Sequence, residues 1–483
     1  MDQRDYRTRA VTVNAADSLK WIMLNRACLS VLLLAFASTP ISTPMHTQRS
    51  ADGAWVDAYR DAAGRIIGEA MSSTFAWDRL ALLGDTFGHR LSGSRALEDA
   101  IQWVVAEMKR DGLENVHTEP VKVPYWVRGR EGAEITSPRP RPLVMLGLGN
   151  SIGTPADGIE ADVFVVHSFE DLEANSTRVK GRIVLYNVPF TNYGETVQFR
   201  GNGPSRAAAL GAVAALVRSV GPPGLRLPHT GALRYAEGVP QIPAAAIATE
   251  DADLLQRMQD RGTTPRVRLR MEAKFLPDAD SFNVVGELRG REAPEEVVVV
   301  GGHIDSWDVG TGSTDDGGGC VVTWEALRIM KKLGLRPRRT VRVVLWTNEE
   351  NATRGANAYR DRYRDQLANH VLMLESDDGV LRPSGFGFTG SDPARARIKE
   401  IASLLRGVQL DRVGSPGEGA DIGPSVQAAN IPSMSLSGDG NYFLLHHTPA
   451  DTVDKIDPMD MSRASAGIAV IAYVVAEMPE RLK

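Results

Sequence analysis

Val297-Val-Val-Val300-Gly-Gly-His303-Ile-Asp305-Ser-Trp-Asp308-Val-Gly-Thr-Gly-Ser-Thr-Asp315 is the stretch on which the reading of this chain turns. Four consecutive β-branched residues suit a strand buried on both faces, as in a parallel sheet covered by helices on either side. Glycines end the strand, and an imidazole and carboxylates follow at once, in the place where open α/β sheets carry their chemistry. Asp316-Gly-Gly-Gly319 and a helical apolar pattern over 318–333 come next. The stretch predicts a strand that delivers a site.

Working outward, the chain alternates strand and helix from residue 275 to its end. Strands are expected at 282–288, 297–300, 340–346, 370–374, 385–388 and 433–436, and helices at 318–333, 352–364, 392–406 and 457–476. That alternation predicts an α/β fold with a mostly parallel sheet, covered on both faces. Residues 50–115 read as helices belonging to the same domain. Between them, 116–274 changes character to short β-type runs divided by Pro- and Gly-rich turns, with an Ala-rich helix expected over 205–217. This segment is expected to be an insert that splits the first domain into 50–115 and 275–483.

With 483 residues the chain is long enough for two domains with full cores. Fifty-five basic against 60 acidic residues, a formal net charge of −5 and no Lys/Arg-rich run argue against a nucleic-acid binder. The apolar run 27–37 follows Arg26 and is too short to span a bilayer comfortably, so it reads as a cleavable secretory leader over 1–37, cut after Ala37 and translated from Met1 or Met23. No later segment is expected to have the length of a transmembrane helix. Cys28 leaves with the leader, and the remaining Cys320 sits on an expected apolar helix face, so no intrachain disulfide and no thiolate metal site form.

Two further expected strands also end in ligand-type residues. Arg342-Val-Val-Leu-Trp-Thr-Asn348 runs into Glu349-Glu350, and His370-Val-Leu-Met-Leu-Glu375-Ser376 into Asp377-Asp378. Parallel neighbours would bring these ends to one edge of the sheet. His446-His447-Thr-Pro-Ala-Asp451 adds imidazoles from the loop before the last helix. Mixed imidazole and carboxylate donors suit zinc in a hydrolytic site, and five protein ligands are too many for one tetrahedral ion. Two Zn2+ per chain resolve the count: His303, Asp315 and Asp377 on one, and Asp315, Glu350 and His447 on the other, each with an open position for water. Glu349 is left over as the general base for the water between the metals, and Asp305 is placed to orient His303.

At these residues the chain resembles peptidase family M28, the co-catalytic zinc peptidases, and most closely its branch of carboxypeptidase Q type. The resemblance rests on Gly302-His303-x-Asp305-Ser-Trp-Asp308, Asp315-Asp316-Gly-Gly-Gly319, Trp346-Thr-Asn-Glu349-Glu350, Glu375-Ser-Asp377, Gly417-Glu-Gly-Ala-Asp421 and Phe443-x-x-His446-His447-x-x-x-Asp451. It implies a three-layer α/β/α phosphorylase/hydrolase-like domain, a β-rich protease-associated insert over 116–274, a homodimer, and exopeptidase activity on dipeptides or short peptides with free ends. Its ligand roles fall on the residues assigned above. Where simpler aminopeptidases of the family carry a tyrosine beside the last histidine ligand, this chain has His446, so either His446 or Tyr442 is the oxyanion donor. Asp308 or Asp421 can greet a free α-amino group, and which peptide end is recognised stays open. The other readings are an aminopeptidase of the same family, a single-zinc glutaminyl cyclase, and a receptor-like module without catalysis.

Overall fold

The computed structural model describes residues 55–482, so the expected leader and cleavage site lie outside the described residues. The quoted stretch forms the strand Ala293–His303 near the middle of an eight-stranded sheet. Arg339–Trp346 and His370–Glu375 flank it, both parallel, and Ser433–Gly438 extends the parallel centre. Lys274–Leu288 and Glu114–Val127 continue one side antiparallel, while Pro383–Thr389 pairs antiparallel on the other, with Arg412–Gly414 at the edge. The expectation of an α/β fold with a mostly parallel sheet holds, since four of the seven strand pairings are parallel, among them the edge pair Pro383–Thr389 with Arg412–Gly414. Long strands 114–127 and 274–288 lie antiparallel along one flank, and the expected period for helix-covered strands does not carry pairing direction.

The four valines alternate as a pleated strand must. Val298 and Val300 join the core that includes the helices Gly318–Lys332 and Pro458–Glu477, while Val297 and Val299 join the opposite core with Val344, Tyr359 and Ile422. Burial on both faces explains the unbroken apolar run. Pro458–Glu477 corrects the expectation that no later segment is long and apolar enough to cross a membrane. By length and composition it qualifies, yet 78% of its apolar window is buried in this core.

A second eight-stranded sheet is made by strands between Glu131 and Met271. The strand Glu114–Val127, read with the insert from residue 116 on, pairs in the first sheet. The expected helix over 205–217 is also corrected: Gly203–Ala209 is helical, and Ala214–Arg218 is a strand paired parallel on both sides. A fully buried strand of small residues carries no alternation, so its pattern runs on from the helix before it.

The quoted stretch itself docks the two sheets. Trp307 and Leu91 belong to the core of the second sheet. Gly149 lies flat against the Trp307 ring, where a Cβ would come within 1.9 Å.

Candidate metal centre

Parallel register gathers the site. His303 lies opposite Trp346 and Gly301 opposite Glu375, so the residues just beyond these strands, Glu349, Glu350 and Asp377, emerge on the edge where His303 ends its own strand. Asp315 returns to that edge on the 313–317 turn. This turn is held by Asp451, whose carboxylate accepts the backbone N–H of Ser313 (3.1 Å), Thr314 (2.6 Å) and Asp315 (3.2 Å) and the Thr314 hydroxyl (2.8 Å). His446 and His447 come from the segment after the short helix Tyr442–Leu445. His447 and Asn348, the residue before Glu349, both take left-handed backbone conformations (φ +61° and +66°). Non-glycine residues held there are concentrated at functional sites.

The side chains converge on Asp315. Its Oδ1 is 3.2 Å from His303 Nε2, and its Oδ2 is 3.2 Å from His447 Nε2 and 3.6 Å from His446 Nε2. His303 Nε2 is also 3.7 Å from Asp377 Oδ1, and His447 Nε2 is 3.0 Å from Glu350 Oε2. By proximity of donor atoms, two groups could each hold an ion: His303, Asp315 and Asp377, and Asp315, His446 and His447. The first is the trio read from the sequence. The second admits His446, which the sequence reading left out of the ligand set, while Glu350 faces the same centre from beside His447.

His303 donates from Nδ1 to the Asp305 carbonyl (3.0 Å), which turns Nε2 toward the carboxylates. Asp305 thus orients His303 through its backbone. Its carboxylate, 3.9 Å from that ring nitrogen, accepts the backbone N–H of Glu349 (3.0 Å) and Glu350 (3.4 Å) and the Ser92 hydroxyl (3.1 Å). It therefore ties two strand ends together. Tyr442 donates its hydroxyl to Asp377 Oδ1 (3.2 Å), and the His446 ring stacks on His447 with centroids 3.5 Å apart.

Two sequence-based expectations need correction. Asp308 does not face the site: Arg128 donates Nε to it at 2.8 Å, in an ion pair at the start of the insert. Asp421 is fully buried behind the site wall, its backbone N–H donated to Glu375 Oε2 at 2.9 Å. Both residues sit in loops whose contacts come from distant parts of the chain, and only docking reveals them.

A cavity of 890 Å³ opens over Asp315, Glu349 and Asp377. One wall carries Glu375, Asp378 and Glu418. The other comes from the insert, with Tyr193, Arg200 and Arg234. None of these insert residues was singled out from sequence, because an isolated Arg or Tyr in a β-rich segment carries no spacing signal.

The electrostatics are those of crowded, buried acid. Burial pushes the Glu349 carboxyl well above the usual carboxylate range, with the charges of Glu350 and Asp377 adding to it and His303 opposing. Burial and Asp315 raise Glu350 to about 7. Burial disfavours the His447 imidazolium, yet Glu350 and Asp315 outweigh it and lift His447 to about 10. Excess negative charge out of water calls for cations among these residues.

The loop joining His303 to Asp315 is pinned by Arg90. This fully buried guanidinium donates to the carbonyls of Ile304 (2.8 Å), Thr311 (2.6 Å), Gly312 (2.9 Å) and Gly88 (3.2 Å). Arg90→Met keeps the volume and orphans these acceptors, which costs about 3 kcal/mol or more. Differential scanning fluorimetry should show a melting temperature lower by roughly 5 °C. An unchanged value would show that water replaces the guanidinium.

Residues 283–472 match the model of a family described as peptidase family M28. Carboxypeptidase Q of Mus musculus is 48% identical over 428 residues, covering 88% of this chain and 91% of that protein. The Homo sapiens carboxypeptidase Q is 48% identical, over 86% of this chain and 88% of its own length. A crystal structure of a peptidase M28 precursor from Shewanella amazonensis superposes with a TM-score of 0.85 at 34% identity, covering 89% of this chain and 99% of that one. A zinc aminopeptidase from Bacillus subtilis, 19% identical, shares the fold with a TM-score of 0.63 over 84% of this chain and 95% of its own.

Proposed function

This chain belongs to peptidase family M28, in its carboxypeptidase Q branch, and from that membership we propose that it is a secreted dizinc exopeptidase acting on dipeptides or short peptides with free ends. The observation that carries the reading is the convergence of two histidines on the two oxygens of Asp315, each at 3.2 Å. On this reading the second-sheet segment is the protease-associated insert of the family, and the protein is a homodimer.

The residues fit zinc. His303 Nε2 and Asp315 Oδ2 are buried and make no hydrogen bond, and the donor set is nitrogen and oxygen without thiolate. His303, Asp315 and Asp377 would hold one ion, and Asp315, Glu350 and His447 the other, with His446 the neighbouring donor. Zinc there supplies Lewis acidity toward a scissile carbonyl and lowers the pKa of water.

The remaining work belongs to the chain's own side chains. Glu349, facing the cavity and raised by burial, takes the proton of the attacking water on its carboxylate and passes it to the leaving amine. Tyr442 spends its hydroxyl on Asp377, which leaves His446, in the cavity lining with Nε2 3.6 Å from Asp315 Oδ2, as the donor to a developing oxyanion. The acidic wall of Glu375, Asp378 and Glu418 favours a substrate's free ammonium group.

Metal analysis by ICP-MS on protein purified without added metal should find two zinc ions per chain. A library of dipeptides with either end blocked, assayed before and after chelation, should show zinc-dependent hydrolysis that needs at least one free end. Absence of zinc, or hydrolysis indifferent to both blocks, would overturn the proposal.

A further inference from the structure

The insert reaches the metal centre through the segment 229–231, beside Tyr193 and Arg200. His447 Nδ1 lies 3.3 Å from the carbonyl oxygen of Thr230, and the backbone closes the same contact from the other direction, Thr230 N–H donating to the His447 carbonyl at 3.0 Å. Gly231 makes this approach possible. Its φ of +125° suits glycine, and a Cβ there would come within 2.3 Å of the Arg200 guanidinium and 2.7 Å of His447 Nδ1.

Arg200 completes the arrangement. It is buried, with Nη1 donated to the same Thr230 carbonyl at 3.1 Å and Nη2 to the Tyr193 hydroxyl at 2.7 Å. Nη1 also lies 3.3 Å from His447 Nδ1. A guanidinium only donates and a carbonyl only accepts, so the two neighbours would select opposite tautomers. The other side of the ring decides between them. His447 Nε2 faces Asp315 Oδ2 at 3.2 Å and Glu350 Oε2 at 3.0 Å, the position of a metal-binding lone pair. The proton then sits on Nδ1, donated to Thr230, whose carbonyl has a lone pair for each of its two partners. Tyr193 in turn stacks on Phe443, on the segment that carries His447, with centroids 5.1 Å apart.

We propose that the insert is a working part of the metal centre: Arg200, braced by Tyr193, is a positioning residue that holds the Thr230 carbonyl where it fixes His447 as the Nδ1–H tautomer with Nε2 open to the ion. The inference rests on the dizinc reading. It predicts that metal affinity at the His447 position is set from outside the peptidase sheet. Partners that orient a ligating histidine are typically worth 10- to 100-fold in metal affinity.

The experiment measures zinc dissociation constants by chelator competition on the full chain, together with kcat and KM. Arg200→Met should weaken one of the two zinc sites, the one His447 would hold, by about 10- to 100-fold. Arg200→Lys, which retains a donor for the Thr230 carbonyl, should recover part of the loss. Tyr193→Phe removes only the brace and should weaken the same site by a smaller factor; it decides the matter if Arg200→Met does not fold. Zinc affinities equal to wild type in the variants that fold would overturn the proposal. So would a rise in KM with unchanged zinc affinity, which would make Arg200 a substrate contact. A wild-type protein that binds no zinc would instead overturn the dizinc reading itself.

Discussion

Glu349→Gln should lower kcat by about 10²- to 10⁴-fold while leaving zinc content and melting temperature near wild type. The carboxamide keeps the size of the side chain and loses the ability to take a proton. The backbone N–H that Glu349 donates to Asp305 at 3.0 Å is untouched, so the strand end stays in place. Glu349 lies in the cavity wall and outside both groups of converging donor atoms, which separates its role from metal binding. Steady-state kinetics beside ICP-MS checks both halves of the expectation. Activity within about tenfold of wild type would reassign the base, since general-base catalysis is typically worth more than that.

Asp315→Ala should be the most damaging substitution for metal binding. Its two oxygens stand 3.2 Å from His303 and from His447, so a single change removes a donor from both sides of the centre. Outer partners of a ligand cost 10- to 100-fold in affinity, and loss of a shared ligand should exceed about 100-fold at both positions. Zinc content after dialysis against a weak chelator should fall below that of either His303→Ala or His447→Ala, with no measurable turnover. Retention of one tightly held ion would show that Asp315 serves one position only. The protein itself should stay folded, because the Asp451 carboxylate grips the turn by the N–H groups of Ser313 and Thr314 and by the Thr314 hydroxyl, contacts that the substitution leaves.

Sequence legibility differed sharply between the two halves of the site. His303, Glu349, Glu350 and Asp377 follow strands whose apolar runs are unmistakable, and the parallel centre of the sheet brings those strand ends to one edge. Local pattern was enough there, since burial on both faces forces the composition of the strand. Pairing direction at the flanks left no comparable mark, which is why Glu114–Val127 was read with the insert. The run over 205–217 failed for a related reason: alanine packs equally well in the helix Gly203–Ala209 and in the buried strand Ala214–Arg218.

Asp308 and Asp305 show the limit from the side of chemistry. Each is a carboxylate within a few residues of His303, and proximity in sequence suggested work on substrate or imidazole. Their partners, Arg128 for Asp308 and the N–H groups of Glu349 and Glu350 for Asp305, come from other parts of the chain. Arg200 was silent for the same reason. A buried guanidinium acts through carbonyls contributed by distant loops, and backbone acceptors leave no trace in residue identity.

The sequence by itself determined the type of donor available, the absence of thiolate, and the strand ends that carry His303, Glu349, Glu350 and Asp377, because these follow from side-chain chemistry and from the periodicity that burial imposes. Only the tertiary structure decided that both oxygens of Asp315 face histidines, that His446 stacks within reach of the same carboxylate, and that Thr230 and Arg200 close on His447 from a loop and a helix of the insert. Those are distances between segments far apart in the chain. They are set by strand register, by the left-handed turn at His447 and by the close approach that Gly231 permits, and no local pattern encodes them.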